Sequence, residues 1–394
     1  MKKLLALLVT FVLLASAAFA QEGPSISFGA WGRATFAPVK IVADGDDVKT
    51  GAGVGGVANA AYTEFYVSAG LENVGFNFML YTGYTGLDGP LGLGLGDNNY
   101  LWAQPFKFLH LTVGKFLEDS LRGKVGYANF YPHIAGSGDE DGIFTQFNSA
   151  GGNGISDFAS ALLKITPIEN LLIAAQINAF PGAATDDNGK EVGVGDDGDL
   201  GKIFGSGQYA VGYTIPNIGL VRAQYVGSYS EYSRIEAAFA YTGTEDITID
   251  AGLKVWLPQE LMSGTTTFNG INFSVGANLA FGDFGIFARI DTGFAGSEET
   301  GGTTTTSPFS LDFYASPSYN LSFAKIGLDL GLNVKTETKI GDAGQGDDSV
   351  ALGAGVWIEK ALGGGSLKAG LAFKFPLDDN PFVFTIPVII GISF

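Results

Sequence analysis

The chain predicts an all-β fold: a transmembrane, antiparallel, up-and-down β-barrel of eighteen strands, with short turns at one end and long loops at the other. Three observations predict it. Residues 382–394 carry an unbroken apolar row at every second position. The same two-residue alternation returns along most of the chain, and the polar connections between alternating segments are by turns long and short. Sixteen strands is the alternative count, reached if the weak pair around Tyr100–Phe116 is not formed.

The terminal segment shows the pattern most plainly. Phe382, Phe384, Ile386, Val388, Ile390, Ile392 and Phe394 fall on one face, because successive strand side chains point to opposite sides. About ten residues suffice for a tilted strand to cross a bilayer. A last strand that ends on an aromatic residue, Phe394, with Ile392 and Ile390 on the same face, resembles the assembly signal of bacterial outer-membrane β-barrels. The resemblance implies outer-membrane lipid as surroundings and insertion by the β-barrel assembly machinery.

The beginning of the chain points to the same envelope. Lys2 and Lys3 precede an apolar run from Leu4 to Leu14, and Ala18-Phe19-Ala20 supplies a small-residue cleavage site. Residues 1–20 therefore read as a secretory signal peptide, leaving residues 21–394 as a single barrel domain. A hydrophobic content of 46% fits such a barrel, since alternating rows store apolar residues without producing a long apolar run. The chain has no cysteine, which excludes a disulfide framework, a thiolate metal site and a cysteine nucleophile. Its net charge of −18 becomes −20 once the two lysines of the leader are removed, and no basic patch for nucleic acid is present.

Taken in order, long polar loops are expected at 37–57, 83–98, 117–157, 181–203, 257–267, 296–307 and 335–349, with shorter ones of that series at 228–232 and 376–381. Tight turns are expected at 71–73, 166–170, 243–245 and 282–283. Nine connections of the long series imply eighteen strands with both termini in the periplasm, because barrels of this kind turn tightly there and loop outside. Residues 142–150 have some strand character, but counting them would break the alternation, so they are assigned to the third loop.

The two faces of the strands differ in kind. Ile247, Ile249, Ala251, Leu253 and Val255 oppose Thr248, Asp250, Gly252, Lys254 and Trp256. Ile326, Leu328, Leu330, Leu332 and Val334 oppose Lys325, Gly327, Asp329, Gly331 and Asn333. Strand phase puts Arg33, Glu64 and Lys164 on polar rows, then Arg222, Arg234, Glu236, Asp250 and Lys254. Arg289, Asp291, Asp312, Lys325, Asp329, Glu359, Lys368 and Lys374 follow. A charge facing hydrocarbon costs about 2–4 kcal/mol at midplane, so these residues are expected to line an aqueous bore. Barrels of sixteen or more strands leave such a channel open. Trp31, Trp102, Trp256 and Trp357 also fall on inward rows.

The loop at 117–157 is the longest and third in order, which resembles the constriction loop of general diffusion porins. That resemblance implies Arg122, Lys124, Asp139, Glu140 and Asp141 in the bore, with the acids facing arginines such as Arg33, Arg222, Arg234 and Arg289. The words Tyr100-Leu101-Trp102-Ala103 and Leu111-Thr112-Val113-Gly114-Lys115-Phe116 also resemble porin strands. The family implies passive diffusion of small hydrophilic solutes and a homotrimer. Acidic loops add a modest cation preference, since their potential enriches cations at the mouth. Other readings that stay open are a channel selective for sugars or peptides, a transporter of hydrophobic compounds, and a surface adhesin or structural barrel.

No cofactor is expected. Acid-rich loops at Asp44, Asp46 and Asp47, at Asp186 to Asp199 and at Asp342 to Asp348 offer oxygen ligands of the kind Ca²⁺ takes. None matches a twelve-residue calcium loop. Enzyme chemistry is not expected either: His110 and His133 are the only histidines, and no G-x-S-x-G or H-E-x-x-H occurs.

Overall fold

The computed structural model describes residues 25–54, 61–83, 92–96, 98–118, 120–121, 147–148, 160–178, 184–185, 191–192, 205, 207–227, 233–257, 259–260, 266–268, 270–300, 303–336, 338–340, 349–377 and 381–393. The expected signal peptide and Phe394 lie outside these residues.

Eighteen strands form the wall. They are β1 Ser25–Asp44, β2 Ala61–Leu71, β3 Val74–Gly83, β4 Asn99–Phe106, β5 Leu109–Lys115 and β6 Ser160–Ile165. Then come β7 Leu171–Asn178, β8 Gln208–Ile215, β9 Gly219–Val226, β10 Arg234–Tyr241, β11 Ile247–Trp256 and β12 Ile271–Phe281. The last six are β13 Phe284–Thr300, β14 Thr303–Asn320, β15 Lys325–Lys335, β16 Ser349–Leu362, β17 Gly365–Pro376 and β18 Phe382–Ser393. Each strand pairs antiparallel with the next, and β18 pairs with β1 from Trp31↔Ser393 to Ala43↔Phe382. The sheet is therefore a closed barrel without a free edge, the one β-structure whose backbone polar groups are all satisfied in lipid.

The outer face of that wall is apolar and bare. Phe28, Phe65, Leu101, Ile290, Leu330 and Ile390 stand well exposed along it. Such a continuous surface is far beyond the few hundred Å² that a soluble protein leaves uncovered, and hydrocarbon is the solvent that suits it.

Short turns join the strands at one end. Between β12 and β13 only Gly282 and Asp283 intervene, with Gly282 at φ 62°, where glycine carries no Cβ penalty. Asn217 takes the same left-handed conformation (φ 60°) in the turn from β8 to β9, as asparagine tolerates best among residues with a side chain.

At the other end several segments expected as loops are β-structure. The main sheet has 23 strands, so five short ones extend the eighteen of the wall. β1 continues through the expected loop at 37–57, turns at Gly45 and returns as Asp47–Val54. An irregularity between Phe36 and Val39 absorbs Pro38, after which Val39 and Ile41 resume the outward row. The expected loop at 296–307 is a hairpin, since β13 reaches Thr300 and β14 starts at Thr303. The run Thr303–Thr306 is β-branched throughout, which favours continued pairing over a loop. Gly92–Leu95, Gln259–Glu260 with Thr266–Phe268, and Thr338–Ile340 extend the wall in the same way. Phe147–Asn148 pairs with Leu117–Glu118 in a separate two-stranded ladder and adds no stave to the barrel.

Candidate functional site

Directly paired residues of neighbouring strands share a face, so the register carries parity around the whole wall. Lys164 pairs with His110, Glu236 with Lys254, Arg234 with Trp256, Asp291 with Asp312, and Lys325 with Glu359. Glu359 pairs in turn with Lys368, Lys374 with Gly353, and Trp31 with Glu64. The register sets the charges expected on polar rows on the side opposite the exposed apolar rows. Trp31, Trp102, Trp256 and Trp357 share that side.

The inner face divides into a sealed part and an open part. On β5 to β10 the inward row includes Leu162, Ala174, Ala210, Leu220, Ala238 and Ala240, all buried. Phe116 and Leu121, which lead out of β5 into the third loop, pack onto this row at 1% exposure each. Leu121 seats against Gly212: a β-carbon there would come within 2.3 Å of its Cδ2. The backbone N–H of Leu117 donates to Asn98 Oδ1 at 3.0 Å, which fixes where the chain leaves the wall. A bore wet along every strand is the simplest reading of the polar rows, and here it does not hold. The signal that marks the exception is legible afterwards: Leu162, Leu172 and Leu220 sit at positions where lumenal parity calls for polar side chains.

Next to this apolar patch lies a buried polar network. Arg222 and Asp250, each without exposed side-chain surface, form an ion pair and hydrogen bond. Gln208 Nε2 donates to Gln224 Oε1 at 3.0 Å, and Gln224 Nε2 donates to Glu236 Oε2 at 2.6 Å. Arg234 Nε donates to the other oxygen of Glu236 at 2.6 Å. The Arg234 guanidinium lies 4.9 Å from the Trp256 ring centroid, and the Trp256 indole donates to Asn272. Charges removed from water persist only with partners at this density. Arg222, Glu236 and Asp250 thus brace the wall, and a solute in the bore does not touch them. Of the arginines expected to face the loop acids, Arg222, Arg234 and Arg289 hold wall carboxylates: Asp250, Glu236 and Asp291. Arg33 is exposed.

The open part runs from β13 through β18 to β3. Lys325 is exposed there, while Glu64, Asp291, Asp312, Glu359, Lys368 and Lys374 are half-buried. Arg289 Nη2 donates to Asp291 Oδ1 at 2.9 Å, Ser274 donates to the same carboxylate, and Asn333 donates to Asp312. Asp329 is fully buried, accepting from Ser316 Oγ at 2.7 Å and from Trp357 Nε1 at 2.9 Å. Trp357 lies flat on β15, where a β-carbon at Gly327 would strike its ring at 2.2 Å. Lys368 Nζ stands 4.6 Å from that ring centroid and 3.3 Å from Glu359 Oε2.

Arg122, Lys124, Asp139, Glu140, Asp141 and His133 lie outside the described residues. His110 stacks on Trp102 with ring centroids 5.7 Å apart, and its Nε2 is 3.2 Å from Thr112 Oγ1. Among the described residues no three His, Asp or Glu side chains gather as metal ligands, and Asp44, Asp46 and Asp47 are exposed around the Gly45 turn.

No protein-family model matches the chain, and no curated sequence is recognisably similar to it. Solved structures do match in shape. OpdL of Pseudomonas aeruginosa superposes with a TM-score of 0.55 at 11% identity, over 94% of this chain and 99% of that one. A BenF-like porin from Pseudomonas fluorescens gives 0.53 at 9% identity, over 95% and 99%. An anion-selective porin from Comamonas acidovorans gives 0.51 at 14% identity, over 94% and 100%. The fold is that of the outer-membrane porins. A porin barrel accounts at once for the closed sheet, the bare apolar exterior and the charged inner rows.

Proposed function

We propose that the chain is an outer-membrane channel for passive diffusion of small hydrophilic solutes and ions, with a modest preference for cations. One observation carries the reading: an eighteen-strand wall that is apolar outside bears charges and amides inside, several of them exposed. Eighteen strands enclose more cross-section than their own side chains fill, which leaves room for water. Selection then follows from bore width and the charges along it.

The third loop, 117–157, is the constriction in this account. Its start is seated on the sealed wall by Leu121. Arg122, Lys124, Asp139, Glu140 and Asp141 would then face the path, and Arg33 and Lys325 on the open wall would face them. The net charge of −18 favours cations at the mouths. The mixed-sign open wall, with Arg33, Lys325, Lys368 and Lys374 beside Glu64 and Glu359, keeps that preference small. Insertion by the β-barrel assembly machinery through Ile390, Ile392 and Phe394, and assembly as a homotrimer, complete the proposal.

Conductance of the refolded protein in planar bilayers tests it. Open, ohmic steps with a reversal potential favouring K⁺ over Cl⁻ are expected. A protein that inserts yet carries no current would sink the channel reading and favour a structural barrel or an adhesin.

A further inference from the structure

At the short-turn end of the bore a cavity of about 450 Å³ opens between β11 and β17, and its walls carry charges of opposite sign on opposite sides. Lys325 and Lys368 stand on one side, beside the Trp357 ring and with Glu359 between them, two positive charges to one negative. Glu245 and Asp246, in the turn that leads into β11, stand on the other. Both acids and Lys325 are exposed, and none of the three is ion-paired among the described residues. Lys368 differs, since it shares its charge with Glu359 at 3.3 Å. Between the two poles the floor is Thr248, Asn278, Ser316, Ser318 and Asn320, all hydrogen-bonding groups without charge.

From β11 to β15 there are four strand spacings, roughly 19 Å of wall at about 4.8 Å each. The side chains reach inward from both ends, so the gap between the charges is shorter. An extended peptide advances about 3.5 Å per residue, so one of roughly three to five residues would span it. The cavity also falls in the size range of small-ligand sites, about 300–1,000 Å³. A free ammonium suits Glu245 and Asp246, a free carboxylate suits Lys325, and the amides between them suit the hydroxyl and amide floor.

We infer that this cavity is a binding site for short zwitterionic peptides at the inner mouth of the channel. The inference rests on the channel reading above and names a solute class for it. Opposed charges reward a solute with separated ends of matching sign, whereas a simple ion meets one pole of attraction and one of repulsion.

The test uses the refolded full barrel in a planar bilayer, with tetraalanine added on the short-turn side. Tetraalanine is expected to block the current transiently and in proportion to its concentration. Its N-acetylated, C-amidated form should block at least about tenfold less, as expected when two charge-assisted contacts are lost. Lys325→Gln and the pair Glu245→Gln with Asp246→Asn should each weaken the block of the free peptide by about fivefold to tenfold, on the same scale. Equal block by free and capped peptides, or an unchanged block in Lys325→Gln, would overturn the site while leaving the channel intact. Calorimetry of the same peptides with the detergent-solubilised barrel needs no open path. Should the protein not conduct, the channel reading fails, and the calorimetric ranking of free over capped peptide still decides the site.

Discussion

The Leu121 side chain occupies the space into which a β-carbon on Gly212 would project, its Cδ2 lying 2.3 Å from that position. The contact joins the beginning of the third loop to the inner wall, so a residue on β8 controls whether the loop can seat. Gly212→Val is expected to unseat it, since overpacking a tight site costs about 1–3 kcal/mol. Single-channel conductance should rise by half or more while the barrel remains folded. An unchanged conductance in a folded Gly212→Val protein would mean that the segment after Leu121 does not narrow the path.

Asp250 and Arg222 make a different prediction because they are sealed. Asp250→Ala removes the ion-pair partner of Arg222 and should cost about 3–5 kcal/mol, as removal of one partner from a buried pair does. Denaturant unfolding in detergent reads that loss. Ion selectivity should barely change in whatever fraction folds, since no solute reaches the pair. A large shift in reversal potential would show that Asp250 faces water.

Those two residues also mark how far the sequence could be read. Two-residue alternation in segments such as Ile247–Trp256 agrees with the strand register, which sets Asp250 and Lys254 on one face, because strand period depends only on the local backbone. Parity says nothing of what lies across the bore. Burial of Arg222, Glu236 and Asp250 depends on contacts between strands far apart in sequence, and on Leu121 arriving from a loop with no periodic signal. The loop boundaries at 37–57 and 296–307 were misjudged for a related reason. The threonine-rich hairpin at 296–307 continues the hydrogen-bonded ladder where hydropathy no longer alternates, and in 37–57 Pro38 and the Gly45 turn interrupt a strand whose outward row resumes at Val39 and Ile41.

Gly327 and Trp357 supply a test on the open wall. A β-carbon at Gly327 would meet the indole ring at 2.2 Å, so Gly327→Val should tip Trp357 into the cavity that Lys325 and Lys368 line. Conductance is expected to fall, by a quarter or more, with little loss of assembly. A rise, or no change, would mean that the ring does not border the water path.

The acids of the third loop are expected to carry part of the cation preference. Replacing Asp139, Glu140 and Asp141 by Asn, Gln and Asn removes three negative charges from the loop and should move the reversal potential toward Cl⁻. The shift should be larger at 0.1 M than at 1 M salt, where the screening length is about 3 Å instead of 10 Å. A potential indifferent to the triple substitution at both salts would take these residues out of the path.

The central claim is that water fills the inside of this wall and hydrocarbon covers its outside. Because the chain has no cysteine, single cysteines can be placed along β15 and challenged with a membrane-impermeant, charged thiol reagent in lipid vesicles. Labelling should alternate with a period of two, fast at Lys325→Cys and Asn333→Cys and absent at Leu328→Cys and Leu330→Cys. Equal labelling of both rows, or labelling of the leucine row alone, would contradict the account.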